Sequence, residues 1–147
     1  MTTASAALVT LVLGVASFTD LRDRVVPNRL TFSAALGGLI LAGLDGPAAL
    51  ATSMLAGLAV SVPLLAIALA RPEGMGMGDV KLAGVLGICL AWQALPALLL
   101  GCLLAGMSGV LLALGSRRPP SQVALPLAPF MALGTLPVLA WSLQLLQ

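Results

Sequence analysis

Apolar residues run almost without interruption along this chain, in stretches near residues 4–19, 30–44, 48–70, 80–95, 96–115 and 123–146, divided only by short Asp/Arg-rich, Gly-rich or Pro-rich joints. In lipid, such stretches satisfy their backbone hydrogen bonds internally, as helices. Of the 147 residues, 60% are hydrophobic and 8% charged, and the mean hydropathy is +1.12. Soluble domains carry about 25% charged residues, so the pattern predicts an all-α, polytopic membrane protein with about six transmembrane helices. No long polar segment could build a second, soluble domain, and residues 1–147 are expected to form a single transmembrane domain. Several stretches fall short of the ~20 residues that cross a ~30 Å hydrocarbon core, so helix is expected to continue into some of the polar joints. The weakest break is Trp92-Gln93-Ala94-Leu95-Pro96, and the helix count depends on its being a turn.

All seven basic residues (Arg22, Arg24, Arg29, Arg71, Lys81, Arg117 and Arg118) lie in the first, third and fifth joints or at their edges, and none in the second or fourth. With six helices those joints share one side, which the positive-inside rule makes cytoplasmic, and both termini lie outside. One helix more or fewer would scatter the charge over both sides. The first stretch has no Lys or Arg before Arg22. It lacks the basic n-region of a secretory signal and is expected to be a retained helix. Gly101, Ala105 and Gly109, at four-residue spacing, would let helix backbones approach closely in lipid.

The inventory excludes several chemistries. The chain has no histidine, which removes Ser-His-Asp and Cys-His nucleophile systems, HExxH zinc proteases and c-type haem attachment. Cys89 and Cys102 stand singly in apolar stretches, without CxxC spacing, and read as packing residues rather than zinc ligands. Tyrosine is absent and aromatics are 3%, so base stacking has little to work with, and no nucleic-acid partner is expected. The net charge of +2 is small.

Two polar islands break the apolar pattern, Asp20-Leu21-Arg22-Asp23-Arg24-Val25-Val26-Pro27-Asn28 and Gly74-Met75-Gly76-Met77-Gly78-Asp79-Val80-Lys81. Each sets an aspartate beside a membrane-length apolar stretch, where a carboxylate is costly and more often functional than not. Two aspartates that meet can share one proton, the charged one activating water and the neutral one protonating a peptide carbonyl. Such a pair titrates as a unit. Asp20 and Asp79 stand at helix ends on the same side, which allows them to meet.

Plainer roles compete at each position. Asp20 could be an interfacial carboxylate bonded to Arg24 at i+4. Asp23 shares its helical face but sits among basic residues, which favours an ion pair with Arg22 or Arg24 or contact with a lipid headgroup. Pro27-Asn28 would bend the chain into the next helix. Asp79 could be the N-cap of its helix, whereas in a catalytic role Gly76 and Gly78 would shape the loop, admit substrate backbone and permit positive φ. Met75 and Met77 read as soft packing groups that could line an apolar groove. Glu73 reads as a solvated loop charge. Lys81, two residues from Asp79, points elsewhere on a regular helix and would tune charge or meet lipid phosphate. The Gly-rich island is neither a GxGxxG fingerprint, since position 79 is Asp, nor a P-loop.

These residues resemble the bacterial type IV prepilin peptidase family of membrane aspartyl proteases. Asp20 with Pro27 and Asn28 looks like the family's first aspartate motif, and Gly76-Met77-Gly78-Asp79-Val80-Lys81 is similar to its GxGD motif with the following lysine. Pro126-Leu127-Ala128-Pro129-Phe130-Met131-Ala132-Leu133-Gly134 resembles a Pro-Phe-Gly-Pro-Phe-type segment at the start of the last helix, departing from it at Leu127 and Ala128. Presenilin-like proteases also use GxGD, but their tyrosine-aspartate motif needs a tyrosine that this chain lacks. Archaeal preflagellin peptidases are a near relative.

The resemblance implies an aspartic endopeptidase of the cell membrane that removes the basic leader of type IV prepilin-like or pseudopilin substrates at the cytoplasmic face. Asp20 and Asp79 would be catalytic; Gly76, Gly78, Lys81, Pro27 and Asn28 would shape the loop or bind substrate. No metal or organic cofactor is expected, and the partners are the bilayer and membrane-bound prepilins that enter from it. Longer family members carry an N-terminal region with paired CxxC motifs and methylate the new amino terminus; the short form expected here lacks it. The rival class is a non-enzymatic membrane protein, a transporter subunit or assembly partner, whose aspartates relay protons or hold helices together.

Overall fold

The computed structural model describes residues 3–70, 75–116 and 126–144. Six α-helices account for nearly all of them: α1 (Thr3–Asp23), α2 (Asn28–Leu44), α3 (Pro47–Ala70), α4 (Met77–Leu90), α5 (Ala94–Ser116) and α6 (Ala128–Gln144), with a 3₁₀ turn at Ala91–Gln93 between α4 and α5. No strand occurs among the described residues. Thr3–Asp23, Pro47–Ala70 and the run Met77–Gly115 are long and apolar enough to cross a membrane, while α2 and Ala128–Ser142 are shorter apolar helices. The chain is an all-α, polytopic membrane protein.

The boundaries follow from local chemistry. Helix α1 runs through the first polar island and ends where Arg24 turns left-handed at φ 53°. The Arg24 N–H still reaches the Asp20 carbonyl at 3.0 Å, a common helix stop. Pro27 is extended (φ −63°, ψ 130°) and its carbonyl accepts the N–H groups of Leu30 and Thr31, starting α2. Pro47 and Pro96 sit in the first turns of α3 and α5, where a missing N–H breaks no intrahelical bond. The fourth joint therefore turns ahead of Pro96, at Ala91 (φ 52°, ψ −135°), which separates α4 from α5. Helix α6 begins at Ala128, later than position 123; Pro126 and Leu127 are not helical and residues 123–125 lie outside the described residues.

Helices α3 and α4 pack closely, as do α5 and α6, while α1 sits against α6, α2 and α4. Both close pairs cross at glycines. A Cβ on Gly87 would lie 2.7 Å from the Gly57 Cα, and one on Gly134 would overlap Ala97 and Gly101. Small residues of this kind let helices approach in lipid, where no hydrophobic force pulls them together. Gly101 and Ala105 of the small-residue stripe are buried, the former against Phe130 and Met131. Val9, Ala16, Leu82, Leu86, Leu90 and Met131 form the centre of the core. Phe32, Leu44, Leu99 and Leu114 stand among many exposed large apolar side chains, the surface that lipid would cover.

Alternating helix direction sorts the joints. The first and third line one cavity, and the start of α6 bonds to Asp20 at that same end. The second and fourth line another, with Asp45, Ala91, Trp92 and Gln93. Arg22, Arg24, Arg29 and Lys81 thus gather at the first end; Arg71, Arg117 and Arg118 lie outside the described residues.

Candidate active site

The last turn of α1 and the first turn of α4 bring Asp20 and Asp79 to one cavity of about 440 Å³, walled by the 24–28 segment and the 76–81 segment. The two carboxylates are within electrostatic reach of each other. Asp20 is buried, with only 7% of its surface exposed. The backbone N–H of Ala128, first residue of α6, donates to its Oδ2 at 3.1 Å. A carboxylate has about four acceptor sites, so this bond fixes the side chain and leaves capacity for water or substrate. Its i+4 neighbour Arg24 meets it through the backbone, as described above.

Asp79 is half-buried. It is the third residue of α4, and the residue in the N-cap position is Gly76 (φ −73°, ψ 141°). The Asp79 carboxylate folds back beside Gly76, while the Asp79 N–H donates to the Gly76 carbonyl at 3.1 Å. The acid thus sits at the third position rather than at the cap, where a carboxylate complements the positive end of the helix. The positive φ expected of the glycines is not found at Gly76, and Gly78 lies inside the helix. What Gly78 provides is room: a Cβ there would stand 3.2 Å from the Cβ of Val26, which is buried against the start of α4. Gly74 and Glu73 lie outside the described residues.

The remaining residues of the islands sort themselves by position. Asn28, at the start of α2, accepts a hydrogen bond from Lys81 Nζ at 2.9 Å, and both line the cavity with Pro27. Asp23 does not line it; it faces Arg22 at 3.9 Å, with both side chains exposed. Sequence reasoning missed the Ala128 N–H and the seat of Val26. The first is a backbone donor that any residue but proline supplies, so residue type gave no signal beyond the motif-like Pro126–Gly134 segment around it.

Chemically, the cavity offers two acids on separate helix ends, with Asp20 held by the Ala128 N–H. Pairs of this kind can divide the roles of general base and general acid.

Residues 7–114 match the type IV leader peptidase family. Over 146 residues, 95% of the chain, the sequence is 34% identical to the prepilin leader peptidase/N-methyltransferase of Aeromonas hydrophila, covering 50% of that protein. The same figures hold for its counterpart in Aeromonas salmonicida (strain A449). A stretch of 62 residues, 42% of this chain, is 42% identical to the protein of that name in Burkholderia pseudomallei (strain K96243), covering 20% of it. The chain spans about half the length of the two Aeromonas relatives. No solved structure matches it.

Proposed function

This chain belongs to the type IV leader peptidase family, and from that premise we propose that it is a membrane aspartic endopeptidase whose acid pair is Asp20 and Asp79. The observation that carries the reading is the cavity in which these two side chains, 59 positions apart in sequence, stand at one end of the bundle. One carboxylate takes a proton from water as the oxygen attacks the scissile carbonyl; the other protonates that carbonyl oxygen. Collapse of the tetrahedral species breaks the C–N bond and returns a proton to the leaving amine. No covalent intermediate with the protein is needed.

The substrates we propose are prepilin-like chains with a short basic leader ahead of an apolar helix. The relatives' names join peptidase to N-methyltransferase; the carboxylate pair supports the hydrolytic half. By the positive-inside rule the end bearing Arg22, Arg24, Arg29 and Lys81 faces the cytoplasm of a cell membrane. There a basic leader would remain untranslocated beside the acid pair. Gly76, Gly78, Val26, Pro27, Asn28 and Lys81 line the cavity around the pair. Family membership favours this reading over a non-enzymatic role for the aspartates.

The test is cleavage of prepilins in reconstituted membranes, followed by mass spectrometry of the released leader. Wild-type protein should cut, and Asp20→Asn and Asp79→Asn, folded to the same extent, should not. Cleavage that survives either substitution would dismiss the pair.

A further inference from the structure

A groove of about 640 Å³ runs between α2 and α4, with Ser61 and Leu65 of α3 in its wall. Along α4 it extends from Met77 to Ile88, about 16 Å at 1.5 Å per residue. That is about half of a ~30 Å hydrocarbon core. Its wall is largely apolar, with Phe32, Ala35 and Val85. The hydroxyls it contains are already engaged: Thr31 donates to the Asn28 carbonyl at 3.1 Å and Ser61 to the Gly57 carbonyl at 2.7 Å. The groove therefore offers an occupant apolar contact and few hydrogen bonds.

One end of this groove is the carboxylate cavity itself. Asn28, Met77 and Lys81 line both, and the Lys81–Asn28 hydrogen bond spans the junction. A second apolar groove, of about 440 Å³ between α1 and α6, holds Gly14, Leu133 and Leu136 and shares no lining residue with the carboxylate cavity. A membrane-bound substrate must present a peptide bond at the cytoplasmic end while its apolar helix stays in the bilayer. Of the two grooves, the one between α2 and α4 starts where that bond would lie and runs on along α4 as far as Ile88.

We propose, resting on the peptidase reading above, that the α2–α4 groove seats the first turns of the substrate's apolar helix, and that the chain leaves the helix for the carboxylate cavity at the Lys81–Asn28 bond. The occupant is a single apolar transmembrane helix. Lipid acyl chains are the competing occupant and would be displaced by it.

The probe is a single-span peptide, a basic leader followed by an apolar helix, in vesicles of phosphatidylethanolamine and phosphatidylglycerol. Ala35→Trp and Leu65→Trp fill the α2–α4 groove, and Leu136→Trp fills the α1–α6 groove. The first two should raise KM about tenfold with kcat within about threefold, the pattern of lost ground-state binding, whereas Leu136→Trp should leave both within about twofold. In an Asp79→Asn background with Cys89 and Cys102 replaced by alanine, cysteine at position 35 should form a disulfide with cysteine in the probe's first helical turns, and cysteine at 136 should not. Equal KM effects from both grooves, no effect from either, or a disulfide at 136 instead of 35 would overturn the proposal and leave the α2–α4 groove to lipid. If wild-type protein leaves the probe uncut, the peptidase reading fails instead, and the disulfide at position 35 decides the groove by itself.

Discussion

Each end of the bundle holds a cavity and an acidic residue, yet the two ends are built differently. At one end Asp45 follows α2 in an exposed turn, where its N–H closes the helix on the Leu41 carbonyl at 3.2 Å. It shares a cavity of about 340 Å³ with Ser5, Ser53 and Gln93, and Gln93 accepts the Ser142 hydroxyl at 2.9 Å. No second acid lines that cavity. At the other end two aspartates from different helices line one cavity, with Asp20 anchored by the Ala128 N–H. An acid in an exposed turn ends a helix. Two acids carried on helix ends meet in one cavity, and rigid elements position such groups better than loops do.

That contrast breaks most sharply at the acids themselves. Asp20→Asn or Asp79→Asn should lower leader cleavage by at least about 10³-fold, within the range that acid–base groups contribute jointly. Asp45→Asn should stay within about twofold. Rates on one prepilin, measured beside melting curves in detergent, separate lost chemistry from lost folding. A comparable loss from Asp45→Asn would erase the distinction between the ends.

The helix crossings that hold both ends in register are the next target. Gly134→Ala pushes a Cβ into Ala97 and Gly101, whereas Gly106→Ala points a Cβ into open space. Overpacking of this kind typically costs about 1–3 kcal/mol. Gly106→Ala should be neutral, or stabilising by up to about 1 kcal/mol through helix propensity. Thermal unfolding in detergent reads both, and a neutral Gly134→Ala would mean that α5 and α6 do not depend on this approach.

A smaller effect is expected where Gly78 meets Val26. The Cβ of Gly78→Ala would press on Val26 at 3.2 Å, shifting the first turn of α4 that carries Asp79. Activity should fall several-fold with a stability loss of about 1 kcal/mol, and Val26→Ala in the same molecule should restore much of the activity. Contacting pairs show coupling of about 0.5–3 kcal/mol in such cycles. Strict additivity would show that the 25–26 segment does not set the position of Asp79.

Much of the fold was legible before the structure. Six apolar stretches became six helices because lipid leaves the backbone few other ways to bond, and the basic residues among the described ones gather at one end of the bundle. The same sequence was silent on geometry that depends on how helices cross. Asp79 reads as a possible N-cap, and the structure sets it two residues inside α4 with Gly76 at the cap, because an acid favours the whole first turn of a helix and not the cap alone. The glycines before it suggested unusual φ when Gly78 instead supplies space. The Ala128 N–H that anchors Asp20 belongs to the main chain and carries no signature of its own, and the turn at Ala91 precedes the proline that suggested it.

The mildest test concerns the Lys81–Asn28 bond, which joins α4 to α2 beside the acid pair. Lys81 is exposed, so water competes for its ammonium, and an exposed pair of this kind is worth about 1 kcal/mol or less even with a charged donor. Lys81→Met keeps most of the aliphatic stem and removes the donor; Asn28→Ala removes the acceptor. Each alone should lower stability by about 0.5 kcal/mol, and the double variant should lose little more than either, because the second change removes a partner already lost. Cleavage should weaken a few-fold in each. If Lys81→Met cost as much activity as Asp79→Asn while melting unchanged, the lysine would have to be placed with the acids in the chemistry. The carboxylate end would then be a three-group site, which would widen the contrast with the isolated acid at the opposite end.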